Sequence, residues 1–385
     1  MRGSARLLLT GLLLATAAAL FAGQPWEIGR FGGELRIAER AEPKTLNPVA
    51  AIDAVSRDII RRATADLISI NRATQQTEPA LAESFTASRD GLNYTITLRD
   101  GLKFSDGYPF SADDVVFSWQ VYLDEKSESP QRDLLLIDEK PIVAVKLDAR
   151  HVRFDLPAPY AAAERLFDSV AMLPKHLLEK PFREGRIAQV WNAGTPPSEM
   201  AGMGPFRLRQ YSPGQFVVLE RNPYYWKRDA AGKQLPYLDS IRFLFVPNED
   251  MQVLRFASGE TQILNRVSAR AAALVKDGSL VDAGPGLDYT FLFFNMGTGG
   301  KPFFRSTAFR RAVSLAVDRD AMVRLVFSGH AHPLASHVAP GNKLWVDDRI
   351  PKPIRSISAA TAALREAGFR KGSDGKLLDP EGKPV

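Results

Sequence analysis

Cysteine is absent from the 385 residues. That lack excludes a disulfide framework, a thiolate metal site and a cysteine nucleophile, so an exported fold must draw its stability from buried apolar area. It also excludes a bacterial lipoprotein anchor, which is attached through a cysteine just after the apolar leader. Histidine is scarce, with five in all, and no two stand four residues apart as a helical metal motif requires. No G-x-S-x-G elbow, H-E-x-x-H, P-loop or G-x-G-x-x-G occurs, which leaves the enzymes built on those motifs without support. Nor is there a run of five basic residues, so the net charge of +6 reads as a mildly basic surface, with no nucleic-acid partner expected.

What is present is an ordinary globular composition, 45% hydrophobic and 24% charged, with length for two or three domains. The start reads as an address. Arg2 and Arg6 precede an apolar run from Leu7 to Phe21, broken only by Thr10, Gly11 and Thr16. That run is shorter than the roughly 20 residues a bilayer span takes. Ala17-Ala18-Ala19 fits small-residue cleavage and Ala22-Gly23 offers a second point. Residues 1–23 are therefore expected to be a cleavable signal peptide. No later stretch approaches 18 apolar residues, so the mature chain is expected to be soluble and periplasmic, without a lipid anchor.

Along the chain, Glu34 to Ala38 alternates as a half-buried strand, Thr45-Leu46-Asn47-Pro48 makes a loop, and Ile52 to Leu67 carries Val55, Ile59, Ile60, Ala63 and Leu67 at helical spacing. Asn93 to Arg99 and Leu102 to Phe104 read as strands joined by Asp100-Gly101. After the Asp106-Gly107 turn, Ser111 and Asp114 form a capping box that opens a helix over Ala112 to Leu123. That cap also explains the Asp113-Asp114 pair without invoking hydrolysis. Pro141 to Leu147 and His151 to Leu156 predict a hairpin, and Lys180 to Gly204 an irregular connection. Strands return at Gly204 to Leu208, Gln215 to Glu220 and Ser240 to Val246. Asp250 to Gly259 is a short helix, and Thr290 to Asn295 is an apolar strand of the doubly covered kind. Phe309 to Ala316, Asp320 to Phe327 and Ser358 to Ala367 are helical, with Ala312, Val313, Ala316, Met322, Val323 and Val326 expected inward. Asp379 to Gly382 is a turn with only Lys383-Pro384-Val385 left to build a returning strand, so a longer protein is expected.

The block from Phe104 to Ser118, with Thr45-Leu46-Asn47-Pro48, Gly204-Pro205-Phe206, Arg221-Asn222-Pro223-Tyr224-Tyr225-Trp226, Asp318-Arg319-Asp320 and the helix Ala362 to Phe369, resembles family 5 of the bacterial extracellular solute-binding proteins. These are the oligopeptide, dipeptide and nickel binding components of ABC importers. The resemblance covers nearly all of residues 32–385. It implies an α/β, periplasmic-binding-protein-like bilobed fold of the larger three-domain type, its second lobe incomplete. Lobe I would take residues 24–68 and 174–285, a small extra domain 69–173, and lobe II 286–385. It further implies a monomer that binds a peptide or similar small polar solute in an interlobe cleft, closes on it, and delivers it to a membrane permease, with no cofactor.

By the same resemblance, ligand contacts fall to Val49, Ala50, Ala51 and Ile52, to Leu264, Asn265 and Arg266, and to Tyr289, Phe291 and Phe293. Asn265 would bond a peptide group and Arg266 would face a carboxylate. No catalytic or metal residue is expected. The competing reading is a secreted hydrolase with no recognisable catalytic motif. His330, His332 and His337 share a loop of a type transition metals can use, and exposed loop histidines are the plainer reading.

Overall fold

The computed structural model describes residues 29–71, 74–264, 268, 271, 274–275, 286–343 and 345–385. The expected leader and the expected ligand residues Asn265 and Arg266 lie outside these. The chain divides into two units, Met1–Asn265 and Arg266–Val385.

The first unit begins with β1 (Glu34–Glu39), in which Ile37 and Ala38 are buried. The helix α1 (Ala54–Ala63) follows, its first turn closed by Asp53, whose carboxylate accepts the Ser56 N–H at 2.8 Å. It is shorter than the expected Ile52 to Leu67. Its end is met by another backbone segment, where the Gly204 N–H donates to the Ala63 carbonyl at 3.0 Å and the chain turns extended at Thr64.

The chain then leaves this layer. Strands β2 (Ala82–Ala87) and β3 (Asn93–Leu98), helix α2 (Ala112–Leu123), and strands β4 (Val143–Lys146) and β5 (His151–Asp155) follow in order. Their strands make an antiparallel sheet of order β2-β3-β5-β4. Alternation puts Tyr94, Ile96 and Leu98 of β3 and Val152 and Phe154 of β5 inside. Over them lies α2, bringing Trp119 edge-on to Phe154 at 4.7 Å, with the indole N–H donating to the Ile142 carbonyl at 2.9 Å. The expected capping box is present: Ser111 Oγ accepts from the Asp113 N–H and the Asp114 carboxylate from the Ser111 N–H. The expected strand over Leu102 to Phe104 shortens to one bridge, Lys103 to Pro109, because the Asp106-Gly107 turn closes at once, with Gly107 at a φ of 91° that glycine accommodates.

After α3 (Lys175–Arg183) the chain returns to the first layer. β6 (Phe206–Ser212), β7 (Phe216–Arg221), β8 (Ser240–Phe245), α4 (Glu249–Ala257) and β9 (Ile263–Leu264) complete a sheet of order β6-β7-β8-β1-β9. The β6-β7-β8 portion is antiparallel, whereas β1 pairs parallel with both β8 and β9.

Where the chain passes between the two sheets, burial holds the Asp66 carboxyl well above the usual carboxylate range; the Asp168 charge adds to this and Arg61 opposes it. The folded state thus keeps this proton to higher pH than the unfolded chain does. Asp66 therefore costs nothing below its unfolded-state pKa, subtracts stability progressively as pH rises from there, and reaches its full cost at its folded-state pKa. Asp66→Asn should raise the melting temperature by about 2–4 °C at neutral pH and leave it unchanged near the unfolded aspartate pKa of about 3.9. A gain that persists in acid would contradict that assignment.

In the second unit, α5 (Thr307–Ala316) packs on α7 (Ile357–Glu366), while α6 (Arg319–Leu325) follows α5 directly. Phe309, Ala312, Ala360 and Phe369 are buried, and Phe303, Phe304 and Phe294 ring Phe309 at centroid distances of 5.0–6.1 Å. Three expectations need correction here. Thr290 to Asn295 forms no strand, because among the described residues no other segment pairs with it. Ala316, at the end of α5, is exposed, and Met322 and Val326, also expected inward, are 52% and 69% exposed, since no described layer covers that face of α6. The closing turn does find a partner: the Val385 N–H donates to the Leu377 carbonyl, and Leu378 bridges Pro384.

Candidate functional site

The parallel trio β8-β1-β9 sets the geometry. β1 leads into the loop 40–53 and α1, whereas β8 leads through α4 to β9 on the far side of β1. The strand ends therefore lie side by side while their connections part, the arrangement that opens a crevice outside the carboxyl edge of an α/β sheet. Across that edge the Val246 N–H donates to the Glu39 carbonyl at 2.7 Å, and Arg40 pairs with Glu249 of α4 at 2.9 Å. Asn248 caps α4 by accepting the Met251 N–H.

The loop leaving β1 is braced along its length. Tyr211 of β6 donates its hydroxyl to Glu42 at 2.8 Å; burial and that carboxylate both push the phenol's pKa up. The Leu46 N–H donates to the Trp191 carbonyl at 2.9 Å. Fully buried Ser56 accepts from the Lys44 and Thr45 N–H groups and donates to Asp53 at 2.6 Å. Asn47, also fully buried, holds the next turn: its Oδ1 accepts the Val49 N–H at 2.9 Å and its Nδ2 donates to the Ile187 carbonyl at 2.7 Å.

These braces determine what the expected contact residues can offer. Val49 and Ala51 are buried and Ala50 half-buried, so their side chains serve the core, while Ile52 at the tip is 63% exposed. No described residue bonds the N–H of Ala51 or Ile52, or the carbonyls of Val49 to Ile52. A fixed backbone with open donors and acceptors suits a ligand that itself presents amide groups. Leu264 is half-buried at the end of β9, paired with Ala38. Tyr289, Phe291 and Phe293 belong to the second unit, 41%, 66% and 74% exposed, with successive rings 5.4 and 6.2 Å apart along one side of the segment. Ser56, Asp53 and Glu42 were not singled out from the sequence, and Asn47 stood out only within the block Thr45 to Pro48, without a role. An asparagine before proline and a serine on the inner face of an amphipathic helix were the available signals.

The strongest histidine–carboxylate contact lies elsewhere. His176 Nε2 meets Asp106 at 2.6 Å, and the ring stacks on Tyr108 at 3.9 Å. Its Nδ1 is buried without a hydrogen-bond partner, so it has no hydroxyl to activate; neighbouring Ser105 Oγ accepts from the Gly202 N–H instead. Among the described residues no three His, Cys, Asp or Glu side chains group to hold a metal, His330, His332 and His337 included.

Residues 76–384 match the family described as bacterial extracellular solute-binding proteins, family 5 Middle. The chain belongs to that family. A curated relative, the probable ABC transporter-binding protein of Deinococcus radiodurans, is 31% identical over 374 residues, covering 92% of this chain and 63% of its own length. Among solved structures, the oligopeptide-binding protein AppA of Bacillus subtilis, in complex with a nonapeptide, aligns with a TM-score of 0.74 at 25% identity, over 93% of this chain and 68% of AppA. The binding protein AgaA of A. tumefaciens, in complex with agropinic acid, aligns at 0.71 with 27% identity, over 88% and 65%. The chain thus spans less than two thirds of the length of the curated relatives it matches. No helix among the described residues is long and apolar enough to cross a membrane.

Proposed function

We propose that this family 5 chain is the substrate-binding component of an ABC importer, taking up peptides or a similar small polar solute outside the cytoplasm and passing it unchanged to a membrane permease. The observation that carries this reading is the braced loop at the carboxyl edge of β1, in which the N–H groups of Ala51 and Ile52 and the carbonyls of Val49 to Ile52 meet no protein partner among the described residues. A hydrolase needs an activated nucleophile, and the closest histidine–aspartate pair, His176 and Asp106, has no hydroxyl on its second ring nitrogen.

The domain reading extends from the sheets. Residues 24–68 and 174–285 form lobe I, residues 69–173 the extra domain, and residues 286–385 part of lobe II. In support, the sheet of β2 to β5 is inserted between α1 and β6, and β6 to β9 rejoin β1. Residues 1–23 act as a cleavable signal peptide to the periplasm, and the protein works as a monomer without a cofactor. Relatives bound to a nonapeptide and to agropinic acid support a ligand rich in amide and carboxylate groups. Calorimetric titration of the purified chain with a random peptide library, followed by mass spectrometry of the recovered ligands, tests this. Saturable binding with intact peptides is expected. Cleaved peptides, or no binding beside an equal response to sugars, would refute it.

A further inference from the structure

A second concave site lies where the inserted domain meets α3, the helix that follows it in the chain, and is built from elements that contribute nothing to the loop 40–53. Helices α2 and α3, with the end of β4, line an open cleft of about 260 Å³, just below the roughly 300 Å³ at which drug-sized pockets begin and so suited to a smaller molecule. Its floor is apolar. Phe117 of α2 and Phe182 of α3 meet edge to face with centroids 5.7 Å apart, and Val116 lies beside them, one helical residue from Phe117.

The rim is charged and not balanced. Asp113 is matched by Lys146 of β4 at 2.6 Å, and Glu179 by Arg183 at 2.6 Å, one helical turn on. Lys175 is the third cation on the rim, and no described carboxylate pairs with its ammonium group. Its root is fixed all the same: the Lys175 N–H donates to Asp114 at 3.2 Å, tying the first turn of α3 to the capping box of α2. One unmatched cation above an aromatic floor calls for a ligand with one negative charge and an apolar body.

We propose that this cleft is a binding site for small aromatic or aliphatic monocarboxylates, with Lys175 taking the carboxylate and Phe117 and Phe182 the apolar body. It is independent of the transport reading, since no residue of the cleft belongs to the strand-end site. Benzoate and hexanoate serve as probes, with benzamide and benzylamine as controls, titrated into the full chain and followed by ligand-observed NMR. Benzoate and hexanoate should saturate, and benzamide should bind at least about tenfold more weakly, the loss of one charge-assisted contact. Lys175→Met should weaken benzoate by a similar factor, Lys175→Arg should retain it, and Phe182→Ala should weaken it with the charge intact. Equal binding of benzoate and benzamide, unchanged affinity in K175M, or no saturation by either carboxylate would overturn the proposal. If K175M fails to fold, the K175R and benzamide comparisons decide.

Discussion

Gly204→Ala should cost the first unit about 3 kcal/mol or more, at the upper end of what overpacking a filled interior costs. A Cβ at this position would sit 2.5 Å from the Ala63 carbonyl carbon, 2.6 Å from the Arg62 carbonyl oxygen and 2.7 Å from the Thr64 nitrogen. All three are main-chain atoms, so no side chain can swing away. The segment cannot back off cheaply either. The Gly204 N–H is bonded to the Ala63 carbonyl, and the Gly204 carbonyl accepts from buried Asn222 at 2.8 Å. Gly214 is the control: its φ of +72° penalises alanine by about 1–2 kcal/mol, and nothing lies within 4 Å of the added carbon. Urea midpoints of the two variants compare a steric clamp with a backbone preference. If G204A is no worse than G214A, the close approach of residues 202–204 to the end of α1 is not as described.

This clamp also shows what a sequence can and cannot announce. Gly204-Pro205-Phe206 and Arg221-Asn222-Pro223 stood out as separate blocks, and their partnership is spatial: the Asn222 side chain bonds Gly204 while its N–H bonds the Pro205 carbonyl. Local patterns carried the local structure well. The capping box at Ser111 and Asp114, the alternation of β3 and the 3.6-residue period of α5 and α7 all depend on neighbours a few residues apart. The pairing of β1 with β8 joins residues about 200 apart in the chain and has no local signature. Thr290 to Asn295 shows the converse failure. An apolar run says that a segment would accept cover on both sides, yet a strand exists only where another backbone supplies hydrogen bonds.

The candidate contacts divide along the same line. The loop after Pro48 was placed by resemblance, and its location at the strand ends agrees with the crevice rule. That Val49 and Ala51 face inward could not be read from the sequence, because small apolar residues in a loop have no periodicity to orient them. The braces were hidden for a related reason. Ser56 is one polar residue on the buried side of α1; Asp53 reaches its hydroxyl as the local helix cap, but Lys44 and Thr45 are brought to it only by the closed loop.

Asn47→Ala should be the most damaging change in that loop for both stability and binding. It leaves the Val49 N–H and the Ile187 carbonyl without partners among buried residues, and each orphaned group costs about 1–3 kcal/mol. Asn47→Asp keeps the acceptor for Val49 but sets a carboxylate against the Ile187 carbonyl, so it should restore little. Loss of the brace frees the backbone of residues 49–52, and a ligand that bonds to that backbone then has to order it at binding. Peptide affinity should therefore fall by about tenfold or more in N47A, measured at a temperature where circular dichroism still reports a folded chain. Ile52 separates the loop's shape from its chemistry. Its side chain is exposed, so Ile52→Ala should keep both stability and affinity within about threefold, whereas Ile52→Pro deletes an N–H that no described residue uses. If the ligand is read by main-chain hydrogen bonds, I52P loses affinity out of proportion to its melting temperature. Wild-type affinity in I52P would mean that the open donors of this loop point at solvent alone, and the site would have to be sought elsewhere on the strand ends.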